Sequence, residues 1–234
     1  MESGPIVIAM DGPSGSGKSS VSREVASTLG FAYLDTGAMY RALTWWMLRE
    51  GIDPDNAAEV AALAGEPALA VGTDPEHPTI AVGGIDVSVP IRSKEVTGAV
   101  SAVSAVPAVR TRLVAMQQQI IAASQTDRPG IVVEGRDIGT VVAPDAQVKV
   151  FLTASADARA TRRTAEVVDT GENATVREMR DDMARRDRLD SSRTTSPLIQ
   201  ALDAVLLDTT ALDKAAVVAA VLEAVRRVQP EPAL

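Results

Sequence analysis

The sequence predicts an α/β fold, a parallel β-sheet flanked by helices, on two observations. Four short apolar runs stand at 6–10, 130–134, 148–152 and 204–208, and the first of them suits a strand buried on both faces. Stretches with helical patterning separate these runs. Parallel strands need crossover connections of this kind, so the alternation favours a parallel sheet.

Helical patterning covers most of the chain between the apolar runs. We expect helices at 17–29, 37–50, 94–124, 155–168, 173–189 and 211–228, with a break in the third near Pro107. The Ala-rich stretches at 57–64 and 99–109 are low in complexity, but their apolar spacing favours packed helix over disorder. A short strand-like segment, Tyr33-Leu34, lies between the first two helices.

Residues 66–92 differ from the rest of the chain. Three short β-prone pieces, at 68–71, 79–82 and 85–87, are separated by turns that contain glycine. This pattern predicts a small antiparallel β insertion, and the alternative is a long surface loop. The chain would then consist of a core, formed by residues 1–65 and 93–234, and the insertion.

The composition excludes several classes of function. The 234 residues include no cysteine, which excludes disulfides, thiolate zinc sites and thiol nucleophiles. The single histidine, His77, lies in the turn-like Asp-Pro-Glu-His-Pro, which favours a solvated loop residue over a general base. The formal net charge of −8 disfavours nucleic acid and anionic membranes as partners.

The same composition is typical of an ordinary soluble protein. No stretch approaches the roughly 20 consecutive apolar residues of a membrane span, and the N-terminus lacks the basic start of a signal peptide. We therefore expect a cytoplasmic protein. The absence of coiled-coil heptads favours a monomer.

Residues 12–19 fit the phosphate-binding pattern G-x-x-x-x-G-K-[ST], the P-loop, between a predicted strand and a helix start. Its glycines let backbone N–H groups curl around a phosphate, and the helix start directs its positive end at the same anion. Lys18 would reach the β- and γ-phosphates, and Ser19 Oγ would bind Mg²⁺. The alternative is a Gly/Ser turn with an incidental lysine. The predicted ATP-binding residues are Gly12, Pro13, Ser14, Gly15, Ser16, Gly17, Lys18, Ser19 and Ser20.

A P-loop alone does not say what the triphosphate is for, because GTPase switches, motor ATPases and small-molecule kinases share it. A guanine-reading [NT]-K-x-D motif is absent, since no lysine follows Asn or Thr. Two alternatives to the kinase interpretation given below stay open. One is a kinase for another small acceptor, such as UMP, AMP or shikimate, and the other is a non-catalytic nucleotide-binding switch.

Arginines are concentrated in one part of the chain. Nine of the nineteen fall between Arg159 and Arg193, together with eight carboxylates, so this window is not a uniformly basic surface. On the predicted helix 173–189, Arg186 and Asp190 continue the apolar stripe and therefore point inward. A buried Arg186 needs an anionic partner. That partner is a phosphate, or alternatively Asp190 in an internal i,i+4 pair.

A second group of arginines predicts a lid at about 157–190. Arg159 and Arg163 lie one turn apart on the predicted helix 155–168, which a polar connection containing Gly171 follows. Such a pair can close over a polyphosphate, although a solvated helix face is the alternative. Arginines and Mg²⁺ stabilise the charge that spreads over a transferring phosphoryl group. The predicted catalytic residues are Lys18, Arg159, Arg163 and Arg186.

Five segments together, 12–19, 34–41, 91–96, 134–140 and 186–193, resemble the bacterial cytidylate kinases, P-loop nucleoside monophosphate kinases. The resemblance spans nearly the whole chain, and its second and fourth segments are more specific than the P-loop. It implies the reaction of ATP with CMP or dCMP to give ADP and CDP or dCDP. It also implies a lid and an inserted β-rich substrate-binding domain, which matches residues 66–92.

The resemblance also implies roles for individual residues. Thr36, Arg41, Arg136, Arg186 and Arg193 match ligands of the acceptor phosphate and the transition state, and Asp190 matches a ribose-hydroxyl partner. Ser101, Arg110 and Asp137 match the residues that read the base. Cytosine suits this set, because its N4 amino group donates to a carboxylate and its N3 and O2 atoms accept from a guanidinium.

The sequence departs from the family pattern at two positions. Ser19 stands where many members have Gly, and the hydroxyl of Ser19 favours Mg²⁺ binding. Leu189 occupies a position that is often charged in the family. Asp35 follows the short strand-like segment and could hold Mg²⁺ through water. A turn-capping role for Asp35 is the alternative.

Overall fold

The computed structural model describes residues 5–169 and 175–228. Within them the strands are β1 (Ile6–Asp11), β2 (Ala32–Asp35), β3 (Leu69–Val71), β4 (Ile80–Val82), β5 (Ile85–Asp86), β6 (Gly130–Glu134), β7 (Val148–Thr153) and β8 (Val205–Asp208). The α-helices are α1 (Lys18–Leu29), α2 (Thr36–Arg49), α3 (Ala57–Leu63), α4 (Lys94–Ala105), α5 (Pro107–Asp127), α6 (Ala156–Asp169), α7 (Val176–Ser191) and α8 (Lys214–Val228).

Five strands form the parallel sheet that the sequence predicts, in the order β2-β6-β1-β7-β8. The central strand, β1, is buried along its whole length. Met10 pairs in register with Glu134, and Glu134 pairs with Asp35 on its other side. The carboxyl ends of β1, β2 and β6 therefore meet at one edge, where ligands bind in open α/β sheets.

Each face of the sheet is covered by its own helical layer. Val7 and Ala9 belong to the core cluster formed with α2 to α5, whereas Ile6, Ile8 and Met10 pack with α1 and α8. Successive side chains of a strand point to opposite faces, so a strand apolar at every position must be covered on both. The predicted α/β class is confirmed.

The insertion contains a three-stranded antiparallel sheet, in which Leu69 pairs with Val82 and Val82 with Ile85. The alternative of a long surface loop is therefore wrong. Arg112 on α5 donates to the carbonyl oxygens of Ala64 and Pro67, which ties the base of the insertion to the core. The domain limits of 66 and 93 stay predictions.

Helix boundaries follow local chemistry that the apolar pattern does not contain. Pro107 separates α4 from α5, whose axes differ by 95°. The helix predicted from 211 begins at Lys214, because Asp213 Oδ1 caps it by accepting the Ala216 N–H at 2.8 Å. The start predicted at 173 and the Gly171 hinge lie outside the described residues.

A π-helical turn, Ile138–Val142, was not predicted. Its first N–H groups, from Ile138 and Gly139, donate to the two oxygens of the buried Asp11 at 2.9 and 2.8 Å. This contact spans more than a hundred residues, so no local pattern could indicate it. Among the described residues, no single helix combines the length and hydropathy of a membrane span; only α4 and α5 taken together reach those limits.

Leu113→Ala is expected to destabilise the fold by about 2 to 5 kcal/mol, because Leu113 is fully buried in the α2–α5 layer and its loss leaves a cavity. The matched control is Leu202→Ala at a fully exposed leucine, which should change stability by less than about 0.5 kcal/mol. Urea unfolding of both variants measures the difference. Equal effects would contradict this assignment of the core.

Candidate active site

A cavity of about 630 Å³ opens at the carboxyl edge of the sheet, between the P-loop, the start of α2, the insertion, α4, α5 and α7. Most of the sequence-predicted site residues line it: Ser14, Gly15, Gly17, Lys18, Ser19, Ser20, Asp35, Thr36, Arg41, Ser101, Arg110, Arg136, Asp137, Arg163, Arg186, Asp190 and Arg193. Gly12, Pro13, Ser16 and Arg159 are the predicted residues that lie outside its wall. One cavity thus collects segments far apart in the sequence.

The P-loop wraps the first part of the cavity. Gly12 has φ +143°, and a Cβ there would lie 2.0 Å from the Leu152 carbonyl oxygen, so only glycine fits. Lys18 Nζ donates to the Gly12 and Pro13 carbonyl oxygens at 2.6 and 2.7 Å. Burial, and then the nearby Arg136, lower the pKa of Lys18 well below its usual range. An anion in the loop would favour the charged form of this amine.

A cluster of oxygen ligands lies beside the P-loop. Ser19 Oγ donates to Glu134 Oε2 at 3.0 Å, and the Tyr33 hydroxyl donates to Glu134 Oε1. Asp35, the register neighbour of Glu134, caps α2 by accepting the Ala38 N–H at Oδ1, 2.9 Å away. Burial, and then Asp35, raise the pKa of Glu134.

This cluster fits Mg²⁺, which prefers hydroxyl and carboxylate oxygens. A buried carboxylate with a raised pKa beside a second carboxylate also marks a place where added positive charge is favourable. Sequence reasoning selected Ser19 and Asp35 and missed Glu134. The signal was present, because Glu134 ends an otherwise apolar strand at the edge where ligands bind.

Several arginines line the same cavity, among them Arg41, Arg136 and Arg186. Arg186 is 9% exposed, and its Nε has no hydrogen-bond partner among the described residues. Burial, and then Arg136, lower the pKa of Arg186 to about 10, while burial, and then Arg186, lower the pKa of Arg41 to about 9. Like charges held together in a desolvated place favour an anionic ligand.

The alternative of a direct Arg186–Asp190 ion pair is wrong. Asp190 instead binds Arg136 Nε at 3.2 Å through Oδ2 and Arg193 through Oδ1. Arg193 also donates to Ser104 Oγ at 2.8 Å. Asp190 is thus the counterion that holds two predicted phosphate ligands in place, while Arg186 is left facing the cavity.

A buried ion pair closes the end of the cavity near α4 and α5. Arg110 binds Asp137, and each residue is less than 5% exposed. The Arg110 guanidinium lies 5.4 Å from the centroid of the Tyr40 ring, and its Nη1 donates to the Ser104 carbonyl oxygen at 3.4 Å. Ser101, the third predicted base reader, lines the same end. This arrangement presents fixed donors and acceptors rather than unbalanced charge.

Thr36, the first residue of α2, lines the cavity, and its hydroxyl donates to the Glu134 carbonyl oxygen at 2.7 Å. Arg41, further along α2, donates to the Ile91 carbonyl oxygen at 3.2 Å and to Thr97 Oγ1 at 2.9 Å. Both side chains are therefore held by hydrogen bonds to other segments of the protein.

The two predicted lid arginines have different surroundings. Arg163 lines the cavity and pairs with Glu166 at 2.8 Å. Arg159 does not reach the wall, because its Nη1 donates to the Ser14 carbonyl oxygen at 3.0 Å and binds Asp187. The structure therefore joins Arg159 to the P-loop itself.

Asp11 is a buried group that sequence reasoning missed. Burial raises its pKa to about 6, against the opposing effect of the N–H groups of Gly139 and Ile138. A carboxylate at the end of the apolar run before the P-loop was the available signal. Asp11 joins β1 to the turn that follows Asp137, and so links the P-loop strand to a residue that is predicted to read the base.

The sequence model of the cytidylate kinase family matches residues 8–227. The chain belongs to the cytidylate kinase family. It is 56% identical over 207 residues to the cytidylate kinase of Streptomyces griseus subsp. griseus, which covers 88% of this chain and 87% of that protein. It is 50% identical over 222 residues to the cytidylate kinase of Mycobacterium leprae, covering 95% and 96% of the two chains. The resemblance inferred from the five segments is confirmed.

Solved structures agree on the fold of this cytidylate kinase family member. A crystal structure of a gluconokinase from Sinorhizobium meliloti 1021 superposes with a TM-score of 0.50 at 18% identity, and the match covers 96% of this chain and 93% of that one. At this identity the likeness concerns the fold alone.

Asp11→Asn is expected to change how stability depends on pH. Folding raises the pKa of Asp11 from 3.8 to about 6. The contribution of Asp11 to stability is therefore complete below pH 3.8 and is lost as the pH rises through about 6. The unfolding free energy of the wild type minus that of the variant should therefore fall by about 2 to 3 kcal/mol between about pH 4 and pH 7. Urea unfolding across this range measures it.

The matched control is Asp86→Asn. The Ser88 side chain lowers the pKa of Asp86, so its contribution is present at neutral pH and is lost as the pH falls. The differences in unfolding free energy between the wild type and the two variants should change with pH in opposite directions. A pH-independent difference for Asp11→Asn would contradict the raised pKa.

Proposed function

We propose that this chain is a cytidylate kinase that transfers the γ-phosphoryl group of ATP to CMP or dCMP. A phosphate oxygen of the acceptor forms a bond to the γ-phosphorus, the bond from that phosphorus to the β–γ bridging oxygen breaks, and ADP leaves with CDP or dCDP as the product. The observation that carries the proposal is the buried Arg110–Asp137 pair, which faces the same cavity as the P-loop and the arginine cluster.

The Arg110–Asp137 pair suits cytosine. The Asp137 carboxylate accepts from the N4 amino group, and Arg110 donates to N3 and O2. Uracil presents an acceptor at position 4 and a donor at N3, so it would oppose both groups. Sites built on buried hydrogen bonds reject such mismatches by up to about 10⁴-fold. Ser101 completes the proposed base-binding set.

The neighbouring side chains suit the acceptor phosphate and ribose. Arg41, Arg136 and Arg193 converge near Thr36, and we assign the acceptor phosphate to these four residues. The Asp190 carboxylate, fixed by Arg136 and Arg193, is the proposed partner of the ribose hydroxyls. Each assigned group lines the one cavity.

Lys18, Arg163 and Arg186 are the proposed catalytic residues, because they can stabilise charge on the transferred group without forming a covalent bond. The P-loop, residues 12–20, holds the triphosphate through its backbone N–H groups. Ser19, Asp35 and Glu134 would hold Mg²⁺, directly or through water. Mg²⁺, when bound, neutralises charge that develops on the phosphate oxygens. The catalytic role predicted for Arg159 stays a prediction.

The charge of the cavity supports two phosphorylated substrates. Among the described residues, nine cationic side chains and five carboxylates line it, although the whole chain carries a net charge of −8. The cations are Lys18, Arg23, Arg41, Arg92, Arg110, Arg136, Arg163, Arg186 and Arg193, and the carboxylates are Asp35, Glu134, Asp137, Glu166 and Asp190. An excess of about four positive charges suits ATP and CMP together with one divalent cation.

The proposed partners are the small-molecule substrates ATP and CMP or dCMP. We further propose a cytoplasmic monomer that binds neither nucleic acid nor membrane, in keeping with the acidic composition. Within enzymes, the competing activity is a kinase for UMP, AMP or shikimate. A nucleotide-binding switch would require tight ATP binding without transfer to any acceptor.

The proposal is tested by a coupled assay of ADP release with Mg-ATP and, in turn, CMP, dCMP, UMP, AMP and GMP. CMP and dCMP are expected to give kcat/KM values at least about 10²-fold above UMP. Equal turnover of UMP and CMP would contradict the proposed base recognition. Absence of turnover with every acceptor would favour the switch.

Two variants separate the roles of the two ends of the cavity. Asp137→Asn should reduce the preference for CMP over UMP by about tenfold or more, because an amide can both accept and donate. Arg186→Ala should lower kcat about 10²-fold for every acceptor without changing that preference. The same ADP-release assay measures both.

Matched controls are Asp145→Asn and Arg188→Ala, which change the same residue types at exposed positions nearby. Both should keep wild-type kinetics within about twofold. Identical kinetic defects in Asp137→Asn and Arg186→Ala would count against separate roles.

A further inference from the structure

Both polar backbone groups of Ser14, a P-loop residue, are bound by side chains of α6 and α7, the two helices of the predicted lid. Its carbonyl oxygen accepts from Arg159 Nη1 at 3.0 Å, and its N–H donates to Asp187 Oδ1 at 3.4 Å. Arg159 and Asp187 form an ion pair with each other, and both side chains are at least 80% buried. Three groups on α6, α7 and the P-loop thus close a ring of polar contacts.

The next residue shows how closely the helices approach the loop. Gly15 has φ +72°, and a Cβ there would lie 2.6 Å from Met183 Cε and 3.1 Å from the Arg159 carbonyl oxygen. Glycine therefore meets both a backbone requirement and a steric one. Arg159 is fixed further, because its Nε donates to the Ala154 carbonyl oxygen at 3.2 Å.

The same helices present two cations to the cavity. Arg186 immediately precedes Asp187 on α7, and Arg163 lies one turn after Arg159 on α6. Holding Asp187 and Arg159 against Ser14 therefore also fixes the distance from these cations to the P-loop. A rate that depends on charge stabilisation is sensitive to small errors in such distances.

We infer that Asp187 and Arg159 form a clamp that positions the P-loop peptide at Ser14 and aligns the lid cations with it. The inference rests on the proposed phosphotransferase activity and goes beyond it, since neither residue needs to touch the transferring phosphoryl group. Arg159 is then a positioning residue instead of the catalytic one that the sequence predicts. Its guanidinium group contacts Ser14, Ala154 and Asp187.

The clamp makes a specific prediction about ATP. Asp187→Ala should raise the Kd for Mg-ATP about tenfold, because a charge-assisted contact to the loop is lost. The KM for CMP and the preference for CMP over UMP should change less than about twofold, because the base-reading end is untouched. Asp187→Asn keeps an acceptor for the Ser14 N–H and should show a smaller increase, about threefold.

The test combines calorimetric titration of Mg-ATP with steady-state kinetics on Asp187→Ala, Asp187→Asn, Arg159→Ala and the double alanine variant. Residues that act as one unit give non-additive effects, so the double variant should bind ATP no more weakly than Arg159→Ala alone. The control is Arg180→Ala, which removes the exposed ion pair to Asp157, 2.8 Å long, that also joins α6 and α7. It should stay within about twofold of the wild type.

The outcomes separate this inference from the proposed function. A wild type that turns over CMP, with an unchanged Kd for ATP in Asp187→Asn and Arg159→Ala, overturns the clamp and leaves the function intact. A loss of kcat in Arg159→Ala far beyond that in Asp187→Ala also overturns it, in favour of a catalytic Arg159. If the wild type transfers phosphate to no acceptor, the function fails, and the titrations still decide the clamp. Melting curves identify any variant that does not fold, and the remaining variants then carry the test.

Discussion

Guanidinium groups from Arg41, Arg163 and Arg186 share one cavity, where burial, and then neighbouring guanidinium groups, lower the pKa values of Arg41 and Arg186. Gathering cations in a buried place costs free energy through desolvation and mutual repulsion, so the rest of the fold must hold them there. Two buried helical layers and a five-stranded sheet supply that support. Phosphate groups offset both the desolvation and the mutual repulsion of these cations. The clustered arginines therefore favour the binding of an anionic ligand.

Carboxylates divide the arginines into two kinds. Asp137 holds Arg110, and Asp190 holds Arg136 and Arg193, so these cations are oriented before any substrate arrives. Arg186, in contrast, forms no ion pair with a carboxylate in the described part of the chain, and its buried Nε has no hydrogen-bond partner there. Paired groups give direction, which recognition of a base, a ribose or an acceptor phosphate needs, and unpaired groups give net charge, which a transferring phosphoryl group needs.

The sequence predicted the parallel sheet, the helices and the P-loop well, because each has a local period or motif. It also predicted that Arg186 and Asp190 face inward, which helical spacing determines. Their partners could not be predicted, since Arg136 reaches Asp190 from another segment. Glu134 and Asp11 were missed because a single carboxylate at the end of an apolar strand belongs to no repeating sequence pattern. Arg159 was predicted to close over the polyphosphate, but its contacts with Ser14 and Asp187 could not be predicted, because helical spacing shows which residues share a face and not what that face contacts.

The net charge of the whole chain and the charge of the side chains that line its cavity have opposite signs. The whole chain carries a net charge of −8, while cations outnumber carboxylates in the wall of a cavity of about 630 Å³, which favours the binding of small anions there. Charge alone would admit any nucleotide of suitable size. The Arg110–Asp137 pair adds no net charge, so it can discriminate between bases without altering the attraction that brings phosphates in. Under the proposed function, base selection and phosphate attraction depend on different residues, so a change at one end of the cavity should alter specificity while the other end keeps its charge.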